Sequence, residues 1–250
     1  MYLLKSILFA LQHLTRLPLP HVSFDEASCG RSTAFFPLAG VILGAVMVAV
    51  VWAVGWYLPY QLQASMLIVL MVVLTGGIHL DGFMDSIDGL FSGRQRENKL
   101  EIMRDSRVGA FGVIGVICLL LFKFSLLAGI PTSLLIKLLL VVPAISRWNM
   151  TLVVFIFPYA RQEGLGTTYK KYCGVKELLL ATVLAGAAAG IVLGVYGALL
   201  MLMGGSIAYL VGRKVSRELG GLTGDIYGFI NELSEVLLLL AAYPLSKIID

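Results

Sequence analysis

The sequence predicts an all-α integral membrane bundle, and three observations carry that prediction. The 250-residue chain is 58% hydrophobic and only 14% charged, whereas an average soluble domain is about 25% charged. Its mean hydropathy is +0.90. Its apolar residues gather into runs of membrane-crossing length, which is about 17–25 residues. A water-soluble fold of this size has no way to hide so much apolar surface, whereas lipid solvates the outside of a bundle.

Residues 2–17 are expected to form a helix lying in the interface, because Lys5, Gln12, His13 and Arg16 interrupt its apolar run. No small-residue cleavage site follows, so a cleaved signal peptide is not expected. Spans are expected over 34–58, 62–78, 109–130, 134–157 and 233–249. The run 178–212 has 35 residues, too many for one ordinary span, and is split near Gly194 into two. The expected total is about seven spans, with five to seven compatible, in a single membrane domain 1–250 without a linker. Cys29, Cys118 and Cys173 are scattered and form no C-x-x-C pair, which argues against a disulfide framework.

Loop charge predicts the orientation. Fifteen of the 19 Lys and Arg residues fall in four segments, 1–33, 79–108, 158–177 and 213–232, which alternate with connections at 59–61, 131–133 and near 194 that carry none. The positive-inside rule puts the four basic segments in the cytoplasm. The net charge of +4 then reflects topology rather than nucleic-acid binding, and membrane lipid is the expected partner of the outer surface.

The acidic residues are just as uneven. None lies between Gly109 and Gln162, while the 79–108 segment holds six of fifteen. Within G-G-I-H-L-D-G-F-M-D-S-I-D-G-L, residues 76–90, Asp81, Asp85 and Asp88 stand at i, i+4 and i+7 and share a helical face. Three carboxylates on one face repel one another unless a cation neutralises them. Their hard oxygens suit Mg²⁺, or Mn²⁺, shared with substrate phosphates. A solvated helix end is the plainer reading, but ionisable groups beside an apolar span are costly and usually functional. Gly82 lets a phosphate or a neighbouring helix approach. His79 is open to three readings: metal ligand, phosphate contact or satisfied interfacial histidine.

The segment L-E-I-M-R-D-S-R-V-G-A-F-G, residues 100–112, puts Arg104 and Arg107 three apart, able to face one phosphate group with bidentate contacts. Asp105 and Ser106 lie between them. Asp105 either completes the metal site or acts as base, with Asp88 as the competing base. Carboxylates, arginines and glycines at a membrane face suit metal-assisted displacement at a pyrophosphate. The active-site segment is therefore expected over 79–112.

Further polar residues interrupt the later spans. Arg147, with Asn149 nearby, either contacts phosphate or pairs with a carboxylate. Thr223, Asp225, Glu232 and Glu235 form a second polar group expected at the substrate, in which Glu232 and Glu235 could bind a second metal, recognise substrate or hold Arg147. Lys123 and Lys137 are expected to snorkel toward the outer ends of their spans. The loop 158–172, with Arg161, Gly164 and Gly166, is a candidate lid over a bulky substrate.

These motifs resemble the cobalamin synthases, also called adenosylcobinamide-GDP ribazoletransferases. The resemblance rests on 76–90 and 100–112 and extends to L-T-R-L-P at 14–18, F-F-P-L-A-G at 35–40, G-G-L-T-G-D-I-Y-G at 220–228 and N-E-L-S-E at 231–235. It implies a Mg²⁺-dependent enzyme of the prokaryotic cytoplasmic membrane. Such an enzyme joins adenosylcobinamide-GDP to α-ribazole, or its 5′-phosphate, and releases GMP; oligomeric state is left open. The motif is also similar in style to that of the CDP-alcohol phosphotransferases, but Met84-Asp85 stands where their alanine–arginine pair is expected. A divalent-cation or organic-anion transporter is the alternative outside catalysis, and it would favour carboxylates near the bilayer midplane.

Overall fold

The computed structural model describes residues 2–245, and among these it is helical with no strand beyond an isolated parallel bridge between Tyr159 and Leu222. Helix α1 (Tyr2–Leu14) is the expected N-terminal helix. Helix α2 (Glu26–Arg31) begins under Asp25, whose carboxylate accepts the Ser28 amide at 2.8 Å. A short 3-10 turn leads into α3 (Phe36–Val54), and the three pieces make an apolar rod of 29 residues.

Helix α4 (Tyr60–Thr75) ends where Gly76 and Gly77 both take positive φ, 65° and 73°. A side chain would be strained at either position. The pair turns the chain through 92° into α5 (Ile78–Leu90). Helix α1 braces the corner: the Arg16 amide donates to the Leu74 carbonyl at 2.6 Å, and the Arg16 guanidinium lies where a Gly76 side chain would stand. Helix α5, which carries three aspartates, packs against the helices Gly224–Ala242 and Ala110–Gly129.

The remaining helices are α6 (Arg96–Ile102), α7 (Ala110–Gly129), α8 (Thr132–Ile156), α9 (Leu165–Tyr172), α10 (Val175–Leu193), α11 (Val195–Leu219) and α12 (Gly224–Ala242). Five helical rods are long and apolar enough to cross a membrane: Glu26–Val54, α7, α8, α10 and α11; α4 with α5 makes six if counted as one broken span. The expected break near Gly194 is present, at φ 58°. The count falls below seven for two reasons. The run at 62–78 is interrupted by the paired glycines. The run at 233–249 belongs to α12, which starts earlier and carries Glu232 and Glu235; residues 246–249 of that run lie outside the described residues.

Helix α8 is the central post, buried along most of its length. Against it α3 crosses at Gly40 and Gly44, where an added Cβ would stand 2.2 and 2.1 Å from the carbonyl oxygens of Pro143 and Leu139. Pro143 has no N–H, so the Leu139 carbonyl lacks its helical donor, and the glycines let α3 close over that gap. Helix α10 meets α8 through Ala181, Ala185 and Ala189, all buried. Small residues at helix contacts are how membrane bundles gain close packing without a hydrophobic drive. The outward faces of α7, α10 and α11 leave Ile117, Leu121, Leu179, Val183, Leu199 and Leu202 exposed, a surface for lipid.

The two ends differ in charge. The connections 55–59 and 131–133 meet at one end, around a cavity lined by Trp52, Pro59, Pro131 and Thr132. At the other end the basic segments interlock. Arg96 donates to the Leu219 carbonyl at 2.6 Å, Lys99 pairs with Glu218, and Arg161 pairs with Asp225 at 2.7 Å. The Tyr159–Leu222 bridge ties two of the loops, with Ala160 and Leu222 amides donating at 2.8 Å each.

Candidate active site

At the basic end, α1, α3, α5, α9, α12 and the 159–164 loop enclose a cavity of about 530 Å³. One wall is aromatic, built by His13, Phe36 and Tyr169; the Tyr169 ring packs edge-on against the other two at 5.7 and 5.5 Å, with Tyr159 and Tyr227 further along. The lining is also charged and carries Asp81, Asp225 and Glu163 beside Arg104 and Arg161. A second cavity of about 520 Å³ adjoins it, lined by Glu97, Glu101 and again by Arg104, Arg161 and Glu163. The two arginines thus stand between two spaces.

Helices α5 and α12 bring the carboxylates together because both carry glycine at the crossing. A Cβ on Gly82 would meet the Asp225 carbonyl oxygen at 2.9 Å, and one on Gly228 would meet the His79 backbone at 3.1 Å. Gly82 therefore sets the helix approach that places Asp81 opposite Asp225. Thr223 caps α12, accepting the Ile226 amide at 3.3 Å, and its hydroxyl donates to Asp225 at 3.2 Å. Burial pushes the Asp225 carboxyl up, with Asp81 adding to the rise against the pull of Arg161 and Thr223. Asp85 feels the crowding most. Burial first, then Asp81, Asp225 and Asp88, push its carboxyl up to about 7.

Asp88 also serves the fold. Its two oxygens accept the amides of Gly109 and Gly112 at 2.9 and 2.8 Å, so it caps α7 at the positive end of the helix dipole. A Cβ at Gly109 or Gly112 would stand 2.2 or 2.4 Å from that carboxylate, which is why both positions are glycine. Asp105 and Arg107 form a pair of their own on an exposed turn, at 2.6 Å, with the Arg107 side chain 89% exposed. The Arg107 hydrogen bonds hold the Asp105 carboxyl down at about 2. Ser106 is exposed between them. Of the 104–107 group, Arg104 alone lines the cavity.

Four residues expected at the substrate lie instead inside the bundle. Arg147, Asn149, Glu232 and Glu235 are 0–3% exposed. Glu235 accepts from Arg147 on one oxygen and from Lys123 at 2.8 Å on the other, and Glu232 accepts from Lys123 at 2.7 Å. Asn149 donates to Ser234 at 2.9 Å. Of the openings left by the sequence, the structure takes the one in which the glutamates hold Arg147. Lys123 does not snorkel: it is 3% exposed and turned inward, where Glu232 and Glu235 accept its hydrogen bonds.

A family model described as cobalamin-5-phosphate synthase matches residues 6–243. The chain belongs to that family. It is 41% identical over 259 aligned positions to the adenosylcobinamide-GDP ribazoletransferase of Desulfitobacterium hafniense (strain Y51), covering 97% of this chain and 98% of that one. Proteins of the same name from Roseiflexus sp. (strain RS-1) and Acetivibrio thermocellus are 40% and 36% identical, covering 92% and 96% of this chain and 86% and 98% of theirs. No solved structure matches the chain.

For this member of the cobalamin-5-phosphate synthase family, sequence reasoning reached Asp81, Arg104 and Asp225 but gave little weight to Arg161. Its only local signal was a basic residue in a glycine-containing loop. The tertiary signal is its ion pair with Asp225 and its 3.4 Å bond to the Met103 carbonyl, which ties three segments together. The aromatic wall was also missed, since His13, Phe36 and Tyr169 come from three distant stretches. Among the described residues, no three His, Cys, Asp or Glu side chains form a ready metal cage. The donor chemistry nevertheless fits a hard divalent cation. Asp81, Asp85 and Asp225 offer carboxylate oxygens, and at Asp85 the charges of Asp81, Asp225 and Asp88 add to burial in raising the carboxyl.

Proposed function

We propose that the chain joins adenosylcobinamide-GDP to α-ribazole, or to its 5′-phosphate, and releases GMP. The reading rests on the family match along nearly the whole chain and on the observation that Arg104 and Arg161 stand between two adjoining cavities. Two substrates that meet at a pyrophosphate need such a place. The aromatic wall suits the flat base of α-ribazole. The guanidinium groups suit the pyrophosphate oxygens, which they neutralise and orient.

In the reaction the 3′-hydroxyl of α-ribazole attacks the phosphorus nearest the cobinamide. A new phosphodiester bond forms, the bond between the two phosphorus centres breaks at the bridging oxygen, and GMP leaves with that oxygen. The hydroxyl proton passes to a carboxylate of the Asp81–Asp85–Asp225 group. Asp105 is a poor acceptor, since Arg107 keeps it strongly acidic; Asp88 is occupied by the α7 amides. Asp81, Asp85 and Asp225 would hold Mg²⁺, or Mn²⁺, which when bound shields the phosphate charge and stabilises the leaving group.

The basic end is read as cytoplasmic, in the cytoplasmic membrane of a prokaryote, on the positive-inside rule. The test is GMP release by the purified chain supplied with adenosylcobinamide-GDP, α-ribazole and Mg²⁺. Wild type is expected to turn over, and the Asp81, Asp85 and Asp225 alanine variants are not. No GMP from wild type would overturn the assignment.

A further inference from the structure

His79 lines the cavity beside Asp81 and Gly82 and is 3% exposed. Its two ring nitrogens differ. Nδ1 lies 3.1 Å from the Asn231 amide nitrogen, whereas Nε2 is buried without a protein partner. What holds Asn231 decides which nitrogen carries the proton. The same amide nitrogen lies 3.5 Å from a Glu235 oxygen. Glu235 is kept as a carboxylate by Arg147 on that oxygen and Lys123 on the other. An ionised carboxylate only accepts, so the Asn231 atom turned toward it is the NH₂, not the carbonyl. Its other hydrogen points to His79. Nδ1 must therefore accept, and the ring proton sits on Nε2. In this tautomer Nε2 has no lone pair to offer a metal, which removes the metal-ligand reading of His79 and leaves a buried, unpartnered donor on a residue that lines the cavity.

We infer that His79 donates its Nε2–H to an oxygen of the substrate pyrophosphate, and that Asn231 is the positioning residue that fixes this tautomer. The inference rests on the pyrophosphate reading above. A buried N–H with no partner is costly, and a ligand oxygen completes it. The donor is prepaid in orientation, because Asn231, Glu235, Arg147 and Lys123 fix the ring from inside the bundle before substrate arrives. Such preorganised donors are effective because nothing reorients as charge develops.

Two measurements test it. The first needs no substrate. Nitrogen-15 spectra of histidine-labelled protein in detergent, assigned through single histidine-to-glutamine variants, should show His79 protonated at Nε2 and accepting at Nδ1. Asn231→Leu should mix the tautomers. A ring protonated at Nδ1 in wild type would overturn the inference. The second is GMP release. Glutamine can set its amide near the Nε2 position, while asparagine reaches only toward Nδ1. His79→Asn and His79→Ala should therefore lose about 100-fold in kcat, the usual cost of one such donor, and His79→Gln should recover roughly tenfold or more of that loss. Asn231→Leu should lower kcat with KM little changed. Equal loss in His79→Gln and His79→Ala, with wild type active, would sink the donor role. An inactive wild type would sink the functional reading instead, with the tautomer still read from the spectrum.

Discussion

Glu232 and Glu235 share helix α12 with Asp225, yet the start and the middle of that helix hold their charges on opposite terms. In the bundle interior, two glutamates face Lys123 and Arg147, and every charge has a partner of the other sign within hydrogen-bonding reach. At the cavity stand Asp81 and Asp225, with Asp85 near enough to feel both and Arg161 as the cation paired to Asp225. A balanced buried cluster is a structural element whose members depend on one another. An unbalanced cluster beside a cavity is poised for a ligand that supplies the missing charge. Acidic residues alone do not tell these apart; the cations that reach them do.

The largest effect is expected where the balance is complete. Glu235→Ala leaves Arg147 and part of Lys123 without compensation in a fully buried place, a loss of about 3–5 kcal/mol. Thermal unfolding in detergent should show a much lower midpoint, with activity lost through the fold. An unchanged midpoint would mean that the cluster is not holding the helices together.

Asp85→Asn should do the reverse, since it removes a carboxylate that its neighbours repel. The midpoint should hold or rise, while GMP release falls about 10²–10³-fold, the scale of losing one charge-stabilising group at the reacting centre. The pH dependence has a definite sign. A carboxyl raised to about 7 in the folded chain binds its proton more tightly there than in the unfolded chain, where it titrates near 4. Asp85 therefore costs stability progressively as pH climbs between those values, and the full cost is present above them. Mg²⁺ should relieve that cost, so it should raise the wild-type midpoint more at pH 8 than at pH 5. It should have little effect on Asp85→Asn at either pH.

Much of this was legible in the sequence, and what was not shares a physical cause. The basic segments, the break near Gly194 and the pairing of Asp81 with Arg104 in one region follow from charge spacing and hydropathy. The 92° corner at Gly76–Gly77 does not, because two glycines in an apolar run read equally well as packing. Lys123 reads as a snorkelling residue until α12 is placed beside α7. Asp88 reads as a third metal ligand because its spacing from Asp81 and Asp85 is right; the α7 amides that claim it lie about twenty residues on. Asp88→Ala should cost about 1–2 kcal/mol, as loss of a helix cap does. Asp88→Asn should recover part of that stability, since its side-chain oxygen still accepts one amide. A loss of activity in Asp88→Asn at unchanged midpoint would show that Asp88 serves the site as well as the cap.

The finest distinction lies between the two arginines that sequence treated as equals. Arg104 borders both cavities, while Arg107 projects into solvent and spends its hydrogen bonds on Asp105. A charged hydrogen bond to phosphate contributes about 1.5–3 kcal/mol, so Arg104→Ala should raise KM for adenosylcobinamide-GDP by roughly tenfold or more. Arg107→Ala should shift it by less than about threefold, in keeping with an exposed pair, and the small shift should shrink further at high salt. If the order were reversed, the 104–107 turn would have to swing in the complex so that Arg107 replaces Arg104 at the phosphates. Asp105→Asn would then show it, because releasing Arg107 from its pair would tighten substrate binding rather than leave it unchanged.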